Sequence, residues 1–229
     1  MENVKQSYTD FHKKNRSRHL YPTEWIVRTM LGNYPGLKFD RSGYVGGKIL
    51  DLGFGDGRNF PLLHNCGLEI HGVEITEETL TLAHEALQML QIPAELKVGS
   101  NTSIPYPDGF FDYVLASSAC YYIDSGFTFS DNLKEITRVL KPGGYLIANF
   151  PAYPKHFIYK NATIDLDGHI TIIDDLYGIR NGYKFRAFRS PDDIKDTFSP
   201  LYTDISIGDC VDNYYGVQHH IYIATFKKL

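Results

Sequence analysis

The residues best suited to chemistry in this 229-residue chain lie in Lys48-Ile-Leu-Asp-Leu-Gly-Phe-Gly-Asp-Gly-Arg-Asn-Phe60. Glycines at 53, 55 and 57 let the backbone pass close to a ligand in angles closed to other residues. Asp51, Asp56 and the N–H groups of the next helix then face that ligand, and a carboxylate aimed at an amino acid's ammonium group has an obvious use there. Further on, Gly72-Val-Glu-Ile-Thr76 ends a second apolar run on an acid. A carboxylate at that position takes both hydroxyls of a ribose.

The same loop argues against other nucleotide folds. A dinucleotide fingerprint starting at Gly53 needs Gly or Ala at position 58, which is Arg58, and there is no Gly-Lys-Ser/Thr of a phosphate-binding loop. Cys66, Cys120 and Cys210 are widely spaced and form no CxxC pair, so no disulfide framework and no metal site are expected. Cys120 reads as a small buried filler. His219-His220 sits in a terminal strand, where neighbours point to opposite faces, and makes a poor metal pair.

A catalytic base has no fixed signature here, and the candidates are His19, Tyr21, Tyr121 and His156. Tyr8, Arg18, Tyr122, Tyr159 and His169 are further polar groups for an acceptor pocket. The net charge of −4 and the absence of a basic face argue against a nucleic-acid partner. No apolar run reaches the ~18 residues of a membrane span, and the polar start has no signal-peptide core, so a cytoplasmic protein is expected.

These side chains need elements to hold them. Trp25, Ile26, Thr29 and Met30 have helical spacing within an N-terminal helical segment, residues 1–47, expected to lie over the active site. From residue 48 strand and helix alternate. Strands are predicted at Lys48–Leu52, Leu68–Val73, Glu95–Val98, Phe111–Ala116 and Tyr145–Phe150. Helices are predicted over Arg58–Asn65, from the Thr76 cap to Leu90, and along the stripe Leu133, Ile136, Val139, Leu140. Ser190-Pro-Asp-Asp193 starts a last helix with Asp193 completing a capping box, before strands near Thr203–Asp209 and Gln218–Phe226. The pattern predicts an α/β fold with a mainly parallel sheet covered on both faces. Pro151–Arg189 breaks the rhythm and reads as an inserted cap with a hairpin turn at Asp165–Gly168, serving as a lid or a homodimer contact.

Together these motifs resemble the class I S-adenosylmethionine (SAM)-dependent methyltransferases of the small-molecule, methyltransferase-11/25-like kind. Ile49–Gly57 looks like the family's first motif and Gly72–Glu74 like its ribose-binding acid. Val98–Val114 resembles the adenine-contacting loop and fourth strand, and Leu133–Gly144 the helix and turn before strand five. The resemblance implies a Rossmann-like, doubly wound seven-stranded sheet with an antiparallel last strand. It divides the chain into a SAM-binding core at 48–150, the cap at 151–189, and a C-terminal helix with the last two strands at 190–229. It also implies cofactor contacts from Asp51, Gly53, Phe54, Gly55, Asp56, Gly57, Glu74, Ile75, Ser100, Asn101, Thr102 and Ser117, with S-adenosylhomocysteine as product.

Two positions depart from the family pattern. Ser100 stands where an acid is usual, and a hydroxyl accepts a hydrogen bond more weakly than a carboxylate; Asn101 is placed to compensate. Phe54 replaces a small residue and is expected to pack under the cofactor. The implied activity is methyl transfer to a small molecule such as a sugar or metabolite hydroxyl. The alternatives are a non-catalytic SAM-binding protein of the same fold and an aminopropyl transferase, whose acids after strand four are replaced here by Ser117 and Ser118.

Overall fold

A computed structural model describes Asp10 and residues 20–229. Tyr8, Arg18 and His19 lie outside the described residues. A short helix α1 (Glu24–Leu31) buries Trp25, Ile26, Thr29 and Met30, the face that its spacing indicates. Next come β1 (Lys48–Leu52), α2 (Phe60–Asn65), β2 (Glu69–Glu74), α3 (Glu77–Leu90) and β3 (Ala94–Val98). After them are β4 (Phe111–Ala116), β5 (Tyr122–Ile123), α4 (Phe129–Val139) and β6 (Leu140–Pro151). The chain then forms a 3₁₀ turn (Phe157–Tyr159), β7 (His169–Thr171), β8 (Lys184–Arg186), α5 (Pro191–Phe198), β9 (Tyr202–Tyr214) and β10 (Val217–Lys228).

Seven strands form one sheet in the order β3-β2-β1-β4-β6-β10-β9. β1 pairs in parallel with β2 on one side and β4 on the other, and β10 lies antiparallel between β6 and β9. The antiparallel last strand is thus as expected, and it sits one place in from the edge. Strand order reverses at β1/β4, so a crevice opens beyond their carboxyl ends, the usual ligand position in such sheets. β1, β4 and β6 are apolar and buried on both faces because helices cover each side.

Local chemistry sets most boundaries. Thr76 caps α3 by accepting the Thr79 N–H at 3.2 Å, with Glu77 and Glu78 in the first turn where the dipole favours acids. α2 begins at Phe60 and not at Arg58, because the glycine turn occupies the residues before it. The stripe helix ends at Val139, and Leu140 already pairs with Phe111 in the sheet. Tyr145 next pairs with Tyr113, so the Pro-Gly-Gly run makes an excursion within β6.

At α5 the Ser190 hydroxyl accepts the Asp193 N–H at 3.2 Å, but the expected capping box is only half made. The Asp193 carboxylate instead accepts the Arg189 N–H at 3.0 Å and pairs with the Arg186 guanidinium at 2.6 Å. A charged donor from β8 takes precedence over a neutral N–H, and the helix is tied to the cap. β9 and β10 run longer than the sequence suggests, meeting at Tyr215-Gly216, both with positive φ (53° and 93°), as a two-residue hairpin turn requires.

The segment after β6 forms a three-stranded sheet, β5-β8-β7, that recruits β5 from the core. The Asp165–Gly168 turn is present, closed by the Asp165 N–H to the His169 carbonyl at 2.8 Å and a single bridge between Ile164 and Ile170. Ile170, Ile172 and Phe185 of this cap join Phe150, Phe188, Phe198 and Phe226 in one continuous apolar cluster. The opposite face of the sheet packs on α1, α2 and α3. Among the described residues no helix is long and apolar enough to cross a membrane.

Phe198 is fully buried and stacks on Phe226 with ring centroids 4.0 Å apart, coupling α5 to β10. Phe198→Ala should cost ~3–5 kcal/mol, as for other buried Phe-to-Ala changes, read as a lowered denaturant midpoint in equilibrium unfolding.

Candidate functional site

The turn after β1 is held open by its own backbone. Gly53 has φ of +70°, donates its N–H to the Val73 carbonyl at 2.8 Å, and leaves no room for a side chain: an added Cβ would lie 2.7 Å from the Ala119 Cβ. Phe54 is buried against Phe60 and over Gly72, where the expectation was packing under the cofactor.

Glu74 closes the other side. One carboxylate oxygen accepts the Gly55 N–H at 3.0 Å and the other the Ile75 N–H at 2.8 Å. Burial raises its pKa, and the two N–H groups oppose that rise. The acid at the end of β2 is therefore fixed in orientation on the rim of the turn.

Asp51 behaves differently. It is fully buried, and neither carboxylate oxygen has a hydrogen-bond partner. Burial pushes its pKa up to about 8, with Asn59 opposing the shift and the Glu74 and Asp56 charges adding to it. Asp56 is engaged by Arg58 through two contacts at 2.9 and 2.7 Å.

These groups border a cavity of about 410 Å³ at the carboxyl ends of the strands. Of the sequence candidates, Gly53, Phe54, Gly55, Asp56, Glu74, Ile75, Ser100, Asn101 and Ser117 line it. Asp51, Gly57 and Thr102 are not among its wall residues, and the Asp51 carboxylate is buried. The Ser100 hydroxyl is 3.2 Å from that of Thr102. The Asn101 amide donates to the carbonyls of Ala119 and Tyr122 at 3.0 and 3.1 Å, so its N–H groups brace the loop after β4.

The proposed bases fare worse. Tyr21 is 73% exposed and is not among the wall residues, while Tyr121 is buried against Phe185. His156 is buried too; its Nδ1 accepts the Ile158 N–H at 3.2 Å, and burial pushes its pKa down to about 3. It lies behind His219, ring centroids 4.6 Å apart, and it is His219 that lines the cavity. His19 is outside the described residues. Cys120 is a buried filler whose thiol burial pushes up to about 12.

Several wall residues escape sequence reasoning. Ser118 adopts φ of +55°, a strained angle for a non-glycine residue, while its N–H donates to the Asn149 side-chain oxygen at 2.7 Å. Asn149 had a legible signal, a polar residue inside the apolar run of β6. The cap sends Ile179, Arg180 and Tyr183, and β10 sends His219 and Ile221. Asp175, its side chain fully buried, accepts the N–H groups of Ile179 and Arg180 at 3.0 and 3.3 Å and the Arg180 guanidinium at 2.9 Å. That carboxylate holds Arg180 against the cavity.

Asp165, Asp167 and His169 come within 4.8 Å of one another at the cap turn, the one such grouping among the described residues. Asp165 there accepts the Asp167 and His169 N–H groups, at 3.0 and 2.8 Å.

SAM fits the donor and acceptor set of the cavity. An acid fixed by two backbone N–H groups remains open to ribose hydroxyls, and a side-chain-free turn admits a close approach.

Comparisons with known proteins agree. The profile of the methyltransferase-domain family matches residues 50–148. An uncharacterized methyltransferase of Schizosaccharomyces pombe is 31% identical over 142 residues, 53% of this chain and 50% of its own. A demethylmenaquinone methyltransferase of Tropheryma whipplei is 29% identical over 117 residues, 50% of this chain and 46% of its own. The chain thus spans about half the length of these relatives. The 1,6-didemethyltoxoflavin-N1-methyltransferase of Burkholderia thailandensis, solved with that compound and S-adenosylhomocysteine, superposes with a TM-score of 0.65 at 14% identity, covering 99% of this chain and 86% of that one, a likeness of fold. In its sheet order, its glycine turn with a backbone-fixed acid, and the match over residues 50–148, the chain is similar to the methyltransferase-domain family.

Proposed function

We propose that the protein transfers the methyl group of SAM to the hydroxyl of a small metabolite, a sugar or another hydroxyl compound, held beneath the cap. The observation that carries this reading is the Glu74 carboxylate, oriented by the Gly55 and Ile75 N–H groups on the cavity rim. Bound SAM supplies an electrophilic methyl on a sulfonium, whose sulfur is already a good leaving group. The chain's own task is therefore mainly positioning, with the acceptor atom brought to ~3 Å from the methyl.

Glu74 takes the ribose hydroxyls, the loop at Ser100 borders the base, and the turn at Gly53–Asp56 holds the amino-acid end. The strained Ser118 and its Asn149 brace mark the floor where the acceptor arrives. Ile179, Arg180 and Tyr183 form the roof and exclude water, which gives the cap the part of a lid. The acceptors named for similar proteins, a demethylmenaquinone and 1,6-didemethyltoxoflavin, support a small-molecule substrate. A cytoplasmic setting goes with this reading, and so does a homodimer contact over whatever part of the cap faces away from the cavity.

Calorimetric titration with SAM and S-adenosylhomocysteine tests the proposal. Wild type should bind both, and Glu74→Ala should weaken both at least tenfold, since hydrogen bonds to a charged group contribute ~1.5–3 kcal/mol. Gly53→Ala should weaken binding as well, because its Cβ meets Ala119. Folded wild type that binds neither ligand would sink the reading.

The buried acid sets a pH signature. The Asp51 pKa of about 8 stands above the ordinary carboxylate value of 3.8, so the native state keeps a proton that the unfolded chain has released. The ligand-free protein should therefore lose stability as pH rises from about 4 towards about 8. Asp51→Asn removes that contribution, and its melting temperature should fall less than that of wild type across the window in thermal denaturation followed by circular dichroism.

A further inference from the structure

His219 and Arg180 meet at the cavity from opposite sides of the chain's topology. β10 runs antiparallel to its neighbours, so its first residues, and not its last, stand at the carboxyl edge of the parallel strands. Ile221 pairs with Pro151 at the end of β6, and His219 lies two residues further out on the same face, both in the cavity wall. Its neighbour His220 points the other way and pairs with Asp209 at 2.6 Å.

The surroundings of His219 keep its ring neutral and oriented. The ring packs edge-on to His156 at 4.6 Å and also meets Phe157 at 5.8 Å and Tyr214 at 6.1 Å. His156 accepts the Ile158 N–H at Nδ1, so the proton of its neutral ring is on Nε2. From β9, Asp212 is the register partner of His219 and favours its charged form; from the cap, Arg180 opposes that form. Burial is the largest influence, and the net effect is a pKa below the usual histidine value of 6.5. At neutral pH the ring is a free base facing the cavity.

We propose that the acceptor carries an acidic hydroxyl, a phenol or an enol, that His219 takes its proton, and that Arg180 holds the resulting oxyanion. This rests on the methyltransferase reading above and narrows its substrate class. Full ionisation of an alcohol, with acidity near that of water at ~15.7, to an oxyanion that Arg180 could hold lies out of reach of a weakly basic imidazole. A phenol near ~10 lies within reach, and an adjacent guanidinium brings it lower. The walls suit a planar molecule: Trp25 and Ile221 share one packed cluster, and Tyr122 and Tyr183 meet edge to face at 5.2 Å. The O–H proton passes to a ring nitrogen of His219, and the oxygen's electron pair forms the new bond to the methyl carbon. The carbon–sulfur bond breaks with its pair left on sulfur, giving a methyl ether and S-adenosylhomocysteine. The imidazolium then returns the proton to water.

The probe is 4-nitrophenol, whose phenolate absorbs in the visible, added to the 229-residue chain saturated with S-adenosylhomocysteine at a pH below the free phenol's own pKa. Wild type should bind it as phenolate, and His219→Gln, with folding checked by circular dichroism, should lower the phenolate fraction at least tenfold. Arg180→Lys should bind it more weakly while retaining S-adenosylhomocysteine affinity. Absence of 4-nitrophenol binding, or an unchanged phenolate band in His219→Gln, overturns the inference while leaving cofactor binding intact. Failure of wild type to bind S-adenosylhomocysteine overturns the methyltransferase reading and this inference with it.

Discussion

The Glu74 carboxylate spans two elements: one oxygen takes the Gly55 N–H from the turn after β1, and the other takes the Ile75 N–H at the end of its own strand. That bridge works only because β1 and β2 lie side by side in parallel, with Leu52 opposite Val73 and the Gly53 N–H on the Val73 carbonyl. The register carries the turn to the acid, and the acid in turn fixes the loop. A bulkier residue at 53 would meet Ala119, so the loop after β4 is shaped by the same constraint. The cavity is the space that these close approaches leave.

Around that centre the fold places unsatisfied or strained groups in a small volume, which is where function is usually found. Asp51 is buried without a partner, and Ser118 holds a left-handed angle braced by Asn149. Such features cost free energy. The Asp175 carboxylate shows the opposite arrangement, a buried acid fully occupied by two N–H groups and a guanidinium. This second acid organises a loop whose Ile179, Arg180 and Tyr183 face the cavity.

The cap is bound to the core by shared side chains. Phe185 and Ile170 lie in the same cluster as Phe150 and Phe198, and Arg186 reaches Asp193 at the start of α5. Its loop from Asp175 to Tyr183 is therefore presented to the cavity from an anchored base. The half-made capping box at α5 follows from the same contact, since the Asp193 carboxylate has a charged partner in β8.

By itself the sequence determined the parts of this protein in which neighbours along the chain are neighbours in space. The glycine turn, the Thr76 cap, the acid closing β2 and the hairpin turn in the cap are of this kind. Each depends on backbone angles or capping within a few residues, or on a motif whose spacing encodes a strand–turn–helix step. The histidine that lines the cavity was not legible for the opposite reason. His156 and Tyr121 had suitable side chains but were claimed by the core, while His219 had no local mark. Only the direction of β10 brings its first residues to the carboxyl edge of the sheet, and only the docking of the cap sets Arg180 beside them. Asp51 shows the same limit: its type and position were readable, but its burial is a property of packing. Which side chains reach one cavity from strands and loops far apart in sequence is decided by tertiary structure, because burial and direction belong to the assembled sheet and not to any segment of it.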